Sequence, residues 1–161
     1  MPDTPFVHND PDQYHDTKLS LHDSVAEKIV CQDGILRFYF ADGFWVFPGH
    51  EASDLDKTVR TDASLVEFCV GDLEEIGIQV YTRTHFKRYK EELWDIGKLA
   101  EAVNSGEYRI EFIYQYRSFF EQMWICALHT KKKLYAKDCL LHIPGTEATY
   151  RWNSLRADRE W

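Results

Sequence analysis

The chain has 161 residues, 44% of them hydrophobic and 15% aromatic, and a formal net charge of −8. That length suits one domain whose core needs no disulfide or metal to hold it. The negative balance repels phosphate backbones and anionic lipid, which argues against nucleic-acid and membrane partners. The charge is uneven: residues 1–62 hold 12 acids and 5 bases, whereas the rest hold 15 and 14.

Residues 1–18, with Pro2, Pro5 and Pro11, read as a mobile arm before a single β-rich domain over 19–153. Residues 154–161 are polar and read as a tail. The first twenty residues have no apolar core or basic start of an export signal, and no run approaches the roughly 18 apolar residues that span a bilayer. Cys31, Cys69, Cys126 and Cys139 each sit alone in an apolar run, the usual place of a buried free thiol. Together these features predict a cytoplasmic protein.

In chain order, residues 25–31 alternate as a strand, and Asp33-Gly34 suits a tight hairpin because both positions tolerate positive φ. Residues 35–40 return with Leu36, Phe38 and Phe40 on one face. Asp42-Gly43 signals a second hairpin into Phe44-Trp45-Val46-Phe47, which completes a three-strand meander. Residues 48–62 are polar and form the longest candidate loop. Residues 64–70 and 78–84 read as strands around a turn at 71–77, and 86–94 is ambiguous between strand, loop and an early helix start.

Ile96, Leu99, Ala100 and Val103 then recur at i, i+3, i+4 and i+7, which predicts one amphipathic helix near 95–105, capped by Asp95 and stopped at Gly106. Alternation resumes at 108–116, with Tyr108, Ile110, Phe112, Tyr114 and Tyr116 on one face. Residues 119–130 are apolar on both faces, as in a covered central strand. A Lys131-Lys132-Lys133 loop leads to strands at 134–143 and 148–152. The sum is a mainly β (α+β) fold: an antiparallel meander of about nine strands, closed as a sandwich or partial barrel.

No residues converge on a known chemistry. His8, His15 and His22, each followed by Asn or Asp, have metal-ligand character, but their Pro-rich segment offers no fixed scaffold, so no metal is expected. His22-Asp23-Ser24 holds the residue types of a hydrolase triad, yet adjacent residues cannot reach one another as a triad requires. It reads as the turn into the first strand. Glu67 and Glu111 would make a carboxylate pair only if their strands were neighbours. Asp138 and His142, four apart on one strand, lie about 13 Å apart. Nucleotide-loop, zinc-protease and calcium-loop motifs are absent, and no cofactor is expected.

The run Leu21-His22-Asp23-Ser24, Ile29, Asp33-Gly34 and Leu36-Arg37-Phe38 resembles the start of small uncharacterised bacterial β-rich proteins. Some of these accompany contact-dependent or polymorphic toxins as immunity proteins. Asp95-Ile96, Ala102-Val103-Asn104-Ser105-Gly106 and Ile110-Glu111-Phe112 extend the likeness to roughly a third of the chain. The resemblance brings no catalytic residue. It implies a bacterial, cytoplasmic, acidic protein that binds a partner.

Three functions follow as expectations. The first is a non-catalytic interaction module, immunity-like, whose Asp54, Asp56 and Asp62 meet a basic partner surface. Arg83, Lys87 and Arg88, interleaved with Phe86 and Tyr89, are a separate candidate grip on an acidic partner. The second is a small-ligand or carbohydrate binder with Phe38, Tyr108, Phe112, Tyr114, Trp124 and Trp152 lining a barrel pocket or groove. The third is a hydrolase using an acid/base pair.

Overall fold

Strand alternation and turn chemistry do build antiparallel ladders, but the ladders are shared among three sheets. The computed structural model describes residues 6–12 and 18–161. Among them, one sheet has the order β1 (His8–Asp12), β14 (Ala148–Trp152), β8 (Ser64–Cys69), β5 (Ile35–Phe40) and β4 (Lys28–Gln32). A second has the order β10 (Tyr89–Trp94), β9 (Gly77–Arg83), β13 (Lys137–Pro144), β12 (Glu121–His129), β11 (Arg109–Arg117) and β3 (Ser24–Ala26). A small third sheet joins β15 (Leu155–Glu160), β7 (Val59–Thr61), β6 (Trp45–Val46) and β2 (Leu19–Ser20). Every strand pair is antiparallel. Among the described residues no sheet closes into a barrel, so the fold is a sandwich.

The core lies between the two larger sheets. Phe38 and Phe68 of one meet Phe112 and Trp124 of the other edge to face, with centroids 5.0 Å apart for Phe38–Phe112 and 6.5 Å for Phe68–Trp124. Edge-to-face contact sets the positive ring edge against the negative face, which adds to the gain from area burial. Phe44 extends this core to Tyr150 and Trp152. The single α-helix among the described residues, α1 (Ile96–Asn104), starts at Asp95, whose carboxylate accepts from the Lys98 amide at 2.7 Å. It buries Leu99 and Val103 beside β4. The predicted stripe, cap and stop are thus in place, with Gly106 in the left-handed region.

Four sequence expectations are corrected. Residues 25–31 are two strands, since the chain passes from β3 to β4 at Glu27 and so crosses from one layer to the other. Asp33-Gly34 does form the two-residue hairpin, with φ of 53° and 72°. At Asp42-Gly43 only Gly43 has positive φ, and β6 pairs with β2 and β7 in place of β5. A Cβ at Gly43 would lie 2.3 Å from the Thr61 carbonyl oxygen, so glycine lets β7 approach and redirect the chain.

The strand count is also higher than nine. Residues 86–94 include β10, and the expected loop contains β7. In the expected arm, His8–Asp12 is an edge strand on β14, and in the expected tail, Leu155–Glu160 pairs with β7. The fourth correction is in β11. The predicted face holds as far as Phe112, but a β-bulge between Phe112 and Tyr114 inserts Ile113 as an unpaired residue. One extra residue reverses the alternation. Tyr108, Ile110 and Phe112 therefore face the core, whereas Tyr114 and Tyr116 face outward, 56% and 55% exposed.

Candidate functional site

The bulge is held by the element that precedes the first long strands. Asp23 adopts φ of 55°, and its amide donates to the Phe112 carbonyl at 2.8 Å. His22 Nδ1–H donates to the Ile113 carbonyl at 2.6 Å. The His22 ring stacks on Trp161, centroids 5.4 Å apart, and Trp161 also packs on Trp45. His22 and Asp23 thus satisfy the backbone carbonyls of Ile113 and Phe112 at the bulge. Ser24 is buried in β3 and faces no base.

The aromatic residues expected to line one pocket do not do so. Phe38, Phe112 and Trp124 are 0%, 0% and 3% exposed and fill the sandwich interior against one another. Trp152 is buried elsewhere, between stacked His8 and the edge of His50. Tyr108 packs against Trp94, and Tyr114 lies on the outer surface. Five of these six side chains belong to the filled core, and Tyr114 stands outside it.

The acid–base candidates are equally dispersed. Glu67 and Glu111 lie in different sheets. Glu67 accepts from Arg37 Nε at 2.7 Å and from Arg151 Nη2 at 2.7 Å. Burial would raise its carboxyl, but these two guanidinium groups outweigh that and hold it below its ordinary range. Glu111 pairs with His129 at 2.6 Å on the outer face of the six-stranded sheet.

Asp138 and His142 share that outer face with Leu140 between them. The buried His50 donates from Nε2 to Asp10 at 2.6 Å, and its Nδ1 accepts from the Ala52 amide. Both ring nitrogens are used, so this pair pins β1 and leaves no free base. His15 and Asp16 lie outside the described residues. Among the described residues, no three metal-ligating side chains gather into a site.

Of the charged candidates, Asp54 and Asp56 are exposed on the loop before β7. Asp62 is not with them. Its carboxylate accepts from the amides of Asn153 and Ser154 and from the Ser154 hydroxyl, which locks the turn after β14. Arg83 ends β9, and Lys87 and Arg88 occupy the tip of the β9–β10 hairpin, where Lys87 has φ of 57°. All three are exposed.

One surface feature is revealed by no strand read singly. The outer side chains of the six-stranded sheet align in rows across the strands. Leu93, Gln79, Leu140, Ile125 and Tyr114 are successive register partners on five strands. On one side lies the row His142, Met123 and Tyr116. On the other lies the row Glu91, Tyr81, Asp138, Ala127 and Glu111. Leu93 is 76% exposed, and Leu140, Ile125 and Met123 are half-buried by one another and their neighbours. The result is an apolar band across the sheet with carboxylates along one margin. Among the described residues, no helix is long and apolar enough to cross a membrane.

No family model, no curated protein and no solved structure matches this chain.

Proposed function

We propose that this chain is a non-catalytic protein-interaction module, immunity-like and cytoplasmic, that docks a partner on the outer face of its six-stranded sheet. The observation that carries the reading is the apolar row Leu140–Ile125–Tyr114, which reaches β11 only because the bulge turns Tyr114 outward, with the exposed Leu93 beyond Gln79 at the sheet edge. A large exposed apolar band rimmed by polar groups marks an interaction surface, and tyrosine is enriched in such surfaces. The exposed carboxylates of Glu91 and Asp138 flank Tyr81 beside the band. They suit a partner that presents basic side chains around an apolar centre. The net charge of −8 steers the same kind of partner.

The test is site-specific photo-crosslinking in the native host, with the crosslinking residue at Leu93, at Tyr116, or at Thr149 on the opposite sheet. One protein of basic surface is expected from the first two positions and not from the third, and Leu140→Glu should abolish the crosslink. Equal capture from Thr149, or capture indifferent to Leu140→Glu, sinks the reading. A second reading uses the exposed pair Asp54 and Asp56 as the contact for the basic partner. It is favoured if Asp54→Asn with Asp56→Asn abolishes capture and Leu140→Glu does not.

A further inference from the structure

A second surface of opposite charge lies at one end of the same sheet. Because β9 pairs with β13, the loop before β13 lies beside the β9–β10 hairpin. Residues 82–90 and 130–137 together hold eight of the chain's 19 lysines and arginines and none of its 27 acids. The rest of the chain then carries 11 bases against 27 acids, a net of −16. So sharp a separation is not needed for solubility, which mixed charge serves equally well.

Between the two segments is a cleft of about 610 Å³, lined by Thr82, Arg83, His85, Lys133, Tyr135 and Lys137 among others. Its volume is in the range of small-molecule pockets, roughly 300–1,000 Å³. The Arg83 guanidinium lies over the Tyr135 ring, 5.7 Å from its centroid. A guanidinium stacked by its face keeps the N–H groups of its edge available to an anion. Among the described residues, no carboxylate lies within ion-pair distance of Arg83 or Lys133, although the molecule carries acids in excess. The Lys137 ammonium lies over the rings of Trp94 and Tyr108, which do not line the cleft, and its charge acts on Glu92. On the rim, Leu134 and Tyr135 are 90% and 66% exposed.

We infer that this cleft binds a small phosphorylated molecule, one that places its phosphate charge between Arg83 and Lys133 and an apolar or planar part against Tyr135 and Leu134. A phosphate ester concentrates charge and acceptor oxygens in the small volume that converging Arg and Lys side chains address best. A long polyphosphate strand is disfavoured, since it would run out of the cleft into the field of the surrounding acids. The site is independent of the docking face.

Calorimetric titration of the full chain with pyrophosphate, ATP, a tetraglutamate peptide and a 20-nucleotide oligothymidine tests this. ATP is expected to bind more tightly than pyrophosphate, and both to weaken at least tenfold in Arg83→Gln and in Lys133→Gln. Lys28→Gln, on the other sheet, should leave both unchanged, with circular dichroism confirming that every variant is folded. No heat from either phosphate compound overturns the proposal. So does binding that ignores the Arg83 and Lys133 substitutions, or tighter binding of the peptide or the oligonucleotide than of ATP. None of these results depends on whether Leu93 or Tyr116 captures a protein.

Discussion

The side-chain amide of Asn104 pairs with the backbone of Ile29 as a neighbouring strand would: Oδ1 accepts from the Ile29 amide and Nδ2 donates to the Ile29 carbonyl, both at 2.8 Å. β4 is the edge of its sheet, and Ile29 is buried. The last residue of α1 thereby covers part of an edge that would otherwise offer free backbone groups.

Asn104→Ala leaves a donor and an acceptor unsatisfied, and it should cost about 1–3 kcal/mol. Asn104→Asp keeps only the acceptor and sets a carboxylate against a carbonyl, so it should cost at least as much. Urea unfolding reads both as a lower midpoint at unchanged slope. A loss within about 0.5 kcal/mol, the range of ordinary surface substitutions, would mean that water replaces the amide.

His22 should matter through the bulge. His22→Ala removes the donor to Ile113 and the ring beneath Trp161, with an expected loss of about 1–2 kcal/mol. Trp161 fluorescence should shift towards that of a solvated indole, because its stacking partner is gone. Asp23→Ala keeps the backbone bond to Phe112 but forces alanine into positive φ, so it too should destabilise while Ser24→Ala does not. If Ser24→Ala proves as damaging as His22→Ala, the clamp is misassigned.

The Glu67 carboxyl, held low by Arg37 and Arg151, gives an acid dependence of known sign. A carboxyl whose folded value is depressed contributes stability that is fully present above the ordinary glutamate value of about 4.3 and is lost as pH falls through the lowered folded value. The stability gap between the native chain and Glu67→Gln should therefore be constant from neutrality to about pH 5 and shrink below pH 4. A gap that widens on acidification would contradict the assigned ion pairs.

The four thiols should react in an order set by burial. Cys69 is exposed, and Cys31 is half-buried with its thiol pushed up by burial. Cys126 and Cys139 face each other across β12 and β13 in the core, and burial pushes Cys139 up to about 12 and Cys126 well above its usual value. The thiolate is the reactive form. A thiol-specific reagent at pH 8 should thus titrate Cys69 quickly, Cys31 slowly, and the core pair only after denaturant is added. Fast labelling of all four in the native state would show the core to be open.

Local chemistry was legible in the amino-acid sequence wherever a feature depends on a few adjacent residues. The Asp33-Gly34 hairpin, the Asp95 cap, the buried Leu99 and Val103 and the paired strands β12 and β13 are all of this kind, because φ preference, capping and alternation act within a turn or a strand. The same preferences could not say that Asp42-Gly43 sends the chain to a different sheet, since that depends on β7 lying against Gly43. Nor could they place the bulge at Ile113, since an inserted residue is defined only by the partner strand it lacks.

Function divides along the same line. Residue type by itself determined a β-rich, acidic chain with basic segments around Arg83 and Lys133. Only the tertiary structure packed five of the six suspected pocket aromatics into the core, tied Asp62 into a turn, and set Leu140, Ile125 and Tyr114 side by side. A row across a sheet joins residues distant in sequence, and register, which decides who stands next to whom, belongs to pairs of strands and to no single one.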